Sequence, residues 1–259
     1  MRLLFTTVFL VTVALFSGPA ANAACDHPYW ALMKGVTRHY KSSNGHESNW
    51  KVERVAGDKA TVVIAWMSDK NEPAKESQLE VECTGEGISL DFTKLGEDRE
   101  GVEVKVVKHS GAFLPPAAKL KADYTWDTTE TIEMIGPRRT EPLIFDISTR
   151  HKVEGTESVT VPAGTFEALK ITANNEMTMQ IPQIKGRDGN QRAATMPGMT
   201  THTTSTYWLV KHVGMVKAES KAEMGGMGSP GMSGAGMGAR GGAPAMSSTT
   251  TTELTEYSK

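Results

Sequence analysis

Two cysteines, seven histidines and fourteen methionines are the side chains of this 259-residue sequence whose types offer bonding, metal or redox chemistry. Cys25 and Cys83 are the only cysteines, and an isolated pair in an oxidising compartment is a candidate disulfide. Joining them would close a loop of about 60 residues, worth about 3 to 4 kcal/mol by the chain-entropy argument. Two alternatives stay open: a pair of free thiols, or a lipid-anchored Cys25 with Cys83 buried. The methionines are unevenly placed. Met177 and Met179 share a strand face, and Met196-Pro197-Gly198-Met199 precedes His202. Met224, Met227, Met232, Met237 and Met246 populate a stretch of Gly, Ala, Ser and Pro. Thioethers are soft ligands that select Cu(I), so this stretch is a candidate soft-metal site. The same residues also serve as adaptable apolar contacts or oxidation targets, or simply as a low-complexity linker.

Other reactive side chains form no standard constellation. His27, His39, His46, His109, His151, His202 and His212 are scattered, with no spacing that makes a metal site. His109 and His151 are the two a fold could bring together, but a surface or edge-strand position is the favoured reading for each. Asp91, Glu130 and Glu133 stand among polar neighbours, as residues of solvated faces do. H-E-x-x-H, C-x-x-C, G-x-S-x-G and the Walker loop are all absent. One G-x-G-x-x-G at Gly236, Gly238 and Gly241 lies in the low-complexity stretch, with no strand before it or helix after it to present phosphate-binding N–H groups. The sequence therefore reads as a non-enzyme with no cofactor.

The compartment follows from the first residues. Arg2 is a positive n-region, Leu3 to Phe16 is an apolar run, and Ser17-Gly18-Pro19 breaks it before the small residues Ala21-Asn22-Ala23. This pattern is a secretory signal peptide over residues 1–23, leaving ~236 residues in the mature chain. The run is too short to serve as a permanent membrane span. A lipoprotein anchor on Cys25 lacks the usual large aliphatic residue three positions earlier, where Asn22 stands. Formal net charge is −2, too mild and too mixed for a nucleic-acid partner. No second long apolar segment follows, so a periplasmic or secreted protein is expected.

The elements that would position these groups are short strands between turn residues. Lys34 to Lys41 reads as a strand stopped by Ser42-Ser43-Asn44-Gly45, then Trp50 to Val55, Thr61 to Trp66, Leu79 to Cys83, Ile88 to Phe92 and Val102 to Val107. Leu114-Pro115-Pro116 interrupts the pattern, and the halves of a single β domain over residues 24–259 are expected to meet near 110–120. Strands resume at Tyr124 to Met134, Phe145 to Val153, Ser158 to Val161, Phe166 to Met179, Thr203 to Lys211, Met215 to Ser220 and Thr249 to Tyr257. No 3.6-residue periodicity persists anywhere. This is an all-β chain of about a dozen strands. Residues 182–199 and 224–246 are too poor in apolar side chains to order themselves and are expected to be mobile excursions. Leu32 to Gly35 leading to Tyr40 faintly echoes Leu120 to Asp123 leading to Tyr124, either as a duplication or as two marks of a strand start.

One segment carries a resemblance. Val161, Pro162, Ala163 and Gly164 place Pro second and Gly fourth, which suits a type I turn, with Thr165 and Phe166 resuming the strand. The string V-P-A-G-T-F, followed by Tyr207-Trp208 and Gly214-Met215-Val216-Lys217, resembles a signature of secreted bacterial proteins sharing a domain of unknown function, the group that includes TapB-like sequences. Tyr29-Trp30, Leu32, Lys34-Gly35 and Tyr40 resemble the opening of that family. The resemblance implies a LolA/LolB-type architecture, a strongly curved antiparallel sheet forming an open half-barrel. Such a shape leaves an apolar hollow. Trp50, Trp66, Tyr124, Trp126 and Trp208 are then the expected lining, and an apolar ligand, a lipid moiety or an envelope protein segment the expected occupant. The other readings are soft-metal binding through the methionine-rich stretch and a structural envelope component with a filled core.

Overall fold

β-branched runs punctuated by Gly, Asn and Pro build the fold. A computed structural model describes residues 25–67, 75–91, 102–137, 141–180, 199–224 and 247–259. Among them are twelve strands: β1 (Thr37–Ser42), β2 (Glu47–Ala56), β3 (Lys59–Met67), β4 (Lys75–Thr84), β5 (Gly87–Asp91), β6 (Glu103–Ser110), β7 (Thr125–Ile135), β8 (Leu143–Val161), β9 (Gly164–Gln180), β10 (Met199–Val210), β11 (Gly214–Met224) and β12 (Ser247–Ser258). The helical content of the described residues is one 3-10 turn, Ala117–Lys119. All twelve strands form one antiparallel sheet in the order 5-4-3-2-1-12-11-10-9-8-7-6. Two meanders are thus joined where β1 pairs with β12, from Thr37 opposite Ser258 to Ser42 opposite Thr252.

The sheet curls without closing. β5 and β6 are its two edges, yet Leu114, just beyond β6, makes an isolated bridge to Ile88 of β5. Only a strongly curved sheet brings opposite edges so close. The expected all-β half-barrel is the observed architecture.

Several boundaries differ from the sequence reading. The first strand starts at Thr37 rather than Lys34, because Gly35 turns the chain at φ 89°. Residues 145–153 and 158–161 belong to one 19-residue strand, β8, in which a bulge between Val153 and Gly155 bends the strand without ending it. The passage between the meanders lies between β5 and β6, ahead of Leu114-Pro115-Pro116. The segment after β6 instead reaches beneath the sheet. Met199 and Met224 are strand residues, so strand structure overlaps both ends assigned to the excursions. The signal peptide and the remainder of residues 182–199 and 224–246 lie outside the described residues.

Val161 pairs with Gly164 across a two-residue loop, Pro162-Ala163. Tight hairpins favour turns with positive φ at the first central position, which Pro cannot adopt. Here Gly164 supplies the positive φ instead, at 137°.

One end of the half-barrel is filled. The Cys25–Cys83 disulfide, with Cα atoms 5.0 Å apart, ties the N-terminal segment to the end of β4. Because Cys25 is bonded to Cys83, this structure leaves it no sulfur for a lipid anchor. Trp30 packs edge-on against Phe113 at 5.2 Å, and His27 Nε2 lies 3.0 Å from the Pro115 carbonyl. Arg38, buried, donates from Nε to the Val213 carbonyl at 2.6 Å and from Nη2 to the Ala31 carbonyl. The main apolar cluster, including Leu32, Val36, Val52, Val62, Ile64, Leu79, Val81, Ile88, Leu114, Val153 and Ile171, lies against this plug.

Candidate functional site

The register of the sheet assembles a single band of inward side chains. Ile171, Tyr207, Ala218, Thr252 and Ser42 are successive cross-strand partners on β9, β10, β11, β12 and β1. Partners across an antiparallel pair share a face, so these five residues run along one side of the curve. They line a hollow of ≈ 290 Å³ together with Tyr40, Trp50, Trp66, Leu79, Leu90, Trp126 and His151 from flanking strands. Trp30, Phe113 and Leu114 line it too, from the plug. This is near the lower end of the ~300–1,000 Å³ typical of small-molecule sites.

Most polar side chains at this wall have a hydrogen-bond partner. The Tyr40 hydroxyl donates to the Met215 carbonyl at 2.8 Å, and burial raises its pKa. Its ring meets Trp50 edge-on at 5.5 Å. Trp50 Nε1 donates to Ser48 Oγ at 3.2 Å, Trp126 Nε1 to the Ala112 carbonyl at 3.1 Å, and Ser42 and Thr252 hydroxyls pair at 2.8 Å. His151 stacks flat on Trp126, centroids 4.7 Å apart and planes at 8°. Its Nε2 lies 3.3 Å from Thr128 Oγ1. Burial pulls the imidazole down to about 4, against a weaker upward pull from Asp127, so it is neutral at pH 7.

Beyond the hollow the same face first carries the polar residues Thr128, Thr149 and Asn175 and then becomes largely apolar. Counting along β7 and β8 from the Trp126–His151 pair, Ile132 faces Phe145 and Met134 faces Leu143, with Ile147 between. Val104 and Val106 of β6 continue this row, as do Met177 and Met179 of β9. These residues are half-buried and belong to neither apolar cluster. Met177 opposes Ile147 and Thr201, and Met179 opposes Phe145 and Met199.

Of the five aromatics named from sequence, Trp50, Trp66 and Trp126 line the hollow. Trp66 is 44% exposed, at the end of the sheet away from the plug. Tyr124 does not reach the wall but stacks behind Trp126 at 5.7 Å. Trp208 lies elsewhere. Adjacent residues of a strand face opposite ways, and since Tyr207 and Leu209 line the hollow, Trp208 cannot. It packs with Val159, Val161, Ala168, Val216 and Leu254 in a second cluster. Its Nε1 donates to Glu157 at 2.7 Å, with Lys170 and Lys217 against its ring. Of the turn residues, Val161 belongs to this second cluster, and Ala163 and Phe166 pack against it.

Sequence reasoning missed Tyr40, Tyr207 and His151. For Tyr207 the signal was present, since it alternates with Ser205 and Leu209. His109 and His151 do not meet: His109 opposes Glu130, 3.9 Å from it, while His151 opposes Trp126. Glu130 is no solvated carboxylate, because burial raises its pKa. No cluster of three or more His, Cys, Asp or Glu suited to a metal occurs among the described residues. Met227, Met232, Met237 and Met246 lie outside those residues, and Met224 ends β11 opposite Thr201.

The DUF3108-like family matches residues 46–230, a span from β2 into the stretch after β11, without the Tyr29 to Tyr40 segment. Two solved structures share the fold. One is a candidate exported protein with a YmcC-like fold from Bacteroides fragilis, 13% identical, TM-score 0.51, covering 89% of this chain and 98% of its own. The other is a candidate lipoprotein from Parabacteroides distasonis, 14% identical, TM-score 0.52, covering 90% and 99%. Comparison with curated proteins gives no match.

Proposed function

The chain belongs to the DUF3108-like family, and from that premise we propose that it binds an apolar ligand or lipid moiety in the hollow of its curved sheet, outside the cytoplasm and without catalysis. The hollow itself carries this reading. It is walled by Trp30, Tyr40, Trp50, Trp66, Phe113, Trp126 and Tyr207, with few polar atoms, most of them already hydrogen-bonded. Aromatic walls with few placed polar groups are the usual form of a small-molecule site. A disulfide and a signal-like start fit an exported protein, as do the descriptions of the two structural relatives as exported and as a lipoprotein. No helix among the described residues is long and apolar enough to cross a membrane.

Native mass spectrometry of the protein purified from its own envelope tests the proposal. The expected result is an adduct that extracts into organic solvent and is lost on unfolding and refolding. An adduct-free protein that also fails to take up an apolar fluorophore would overturn it.

A further inference from the structure

The described lining of the hollow contains no Asp, Glu, Lys or Arg, and its one imidazole is His151. That residue is 6% exposed. Its Nε2 is held near Thr128 and its ring is fixed against Trp126, while Nδ1 has no hydrogen-bond partner among the described residues. No fully enclosed side-chain nitrogen or oxygen of those residues lacks a partner. Nδ1 must therefore lie on accessible surface, and His151 lines the hollow. An oriented ring with one open nitrogen in an apolar wall is a recognition group.

We propose that the hollow takes a long-chain carboxylic acid whose carboxyl group hydrogen-bonds His151 Nδ1 and whose chain lies against Ile171, Tyr207 and Leu209. This deepens the binding role proposed above and rests on it. A carboxyl group complements the ring in either tautomer, because it can donate its O–H or accept at its C=O. If the proton moves from the acid O–H to Nδ1, a carboxylate faces an imidazolium. The pair stays neutral overall, as a low-dielectric hollow requires. A phosphate headgroup would bring charge that no lysine or arginine of the lining offsets. Asp127, the charge that acts on the imidazole, is next to Trp126 in the strand and pairs with Arg150 at 2.9 Å. It does not supply the missing partner.

Binding of tetradecanoic acid and of its methyl ester is measured at pH 7 on the full mature chain and on His151→Phe, which keeps an aromatic ring against Trp126. Roughly tenfold tighter binding of the acid by the wild type is expected, a preference erased in the variant while ester affinity holds. In the wild type alone, NMR titration of the His151 ring should show its midpoint rising by about one pH unit or more with the acid but not the ester. This second readout decides the matter if the variant does not fold. Equal affinities for acid and ester, with a static midpoint, would overturn the carboxyl assignment and leave the binding site standing. Failure of both probes to bind would overturn the binding role as well.

Discussion

Val52 and Val153 occupy the same place in two halves of the sheet. Both are fully buried, at 0% exposure. The Val52 N–H donates to the Val36 carbonyl and the Val153 N–H to the Tyr124 carbonyl, each at 2.9 Å. Their carbonyls accept from Gly35 and Asp123, each at 2.8 Å. Gly35 and Asp123 are both left-handed, with φ of 89° and 65°. A bulge follows each valine, before Arg54 and before Gly155. Two residues earlier stand Trp50 and His151, both lining the hollow. The hollow is thus walled by the same position of two equivalent strands.

That equivalence predicts unequal costs at the left-handed positions. A Cβ on Gly35 would meet nothing within 4 Å, so any penalty there is backbone strain. Gly35→Asn should lose no more than about 1 kcal/mol, since Asn tolerates this region, whereas Gly35→Val should lose about 2. Asp123→Gly should lie within about 1 kcal/mol of the wild type, because its exposed ion pair with Lys152 contributes little. Urea unfolding measures all three. Equal losses for Asn and Val at position 35 would show that the left-handed start does not set the strand.

The strands were legible because their β-branched runs end at Gly, Asn and Pro, and the faint match of Leu32–Gly35 to Leu120–Asp123 pointed at a real geometric pair. A stronger trace was present in Lys51-Val52-Glu53 and Lys152-Val153-Glu154, where each glutamate is the extra residue of a bulge. The hollow was only partly legible. Aromatic identity alone admitted Trp208, whose face is fixed by alternation with Tyr207 and Leu209. His151 was obscure because its burial depends on Trp126 and Ala173, partners that register assigns and composition does not.

The disulfide should stabilise the plugged end selectively. Unfolded, unreduced mature protein should show no free thiol, and Cys25→Ala with Cys83→Ala should cost about 2–5 kcal/mol. Loss should appear first in the fluorescence of Trp30, whose segment is tied down by that bond and by its contact with Phe113. Two reactive thiols in the unreduced chain would contradict the bridge.

Acid should unfold the protein partly through His151. Its folded pKa of about 4 lies below the value of 6.5 for an exposed histidine. Between those values the unfolded chain binds more protons, so stability is full above pH 6.5 and falls as pH drops toward 4. The loss from this residue is about 2 kcal/mol at pH 5. His27, also lowered by burial, adds in the same direction. Comparing urea unfolding at pH 7 and pH 5, His151→Phe should flatten the slope by roughly that amount. An unchanged slope would mean that the imidazole is not held neutral.

Filling the hollow should separate binding from stability. Ala218 lies between Tyr207 and Thr252 on the lining band, and Ala222 has the same facing four residues along β11, opposite Thr203 and outside the hollow. A phenyl ring at 218 enters space already open, so it should not impose the about 1–3 kcal/mol that overpacking a closed core costs. Its burial should offset what strain it brings, leaving stability within about 1 kcal/mol of the wild type. Ala218→Phe should nevertheless lose the co-purifying apolar ligand, while Ala222→Phe should keep it. Thermal unfolding and solvent-extract mass spectrometry, run on both variants, give the two readouts. Strong destabilisation by Ala218→Phe would mark the wall as packed rather than hollow, and retention of ligand by both variants would place the binding site elsewhere on the sheet.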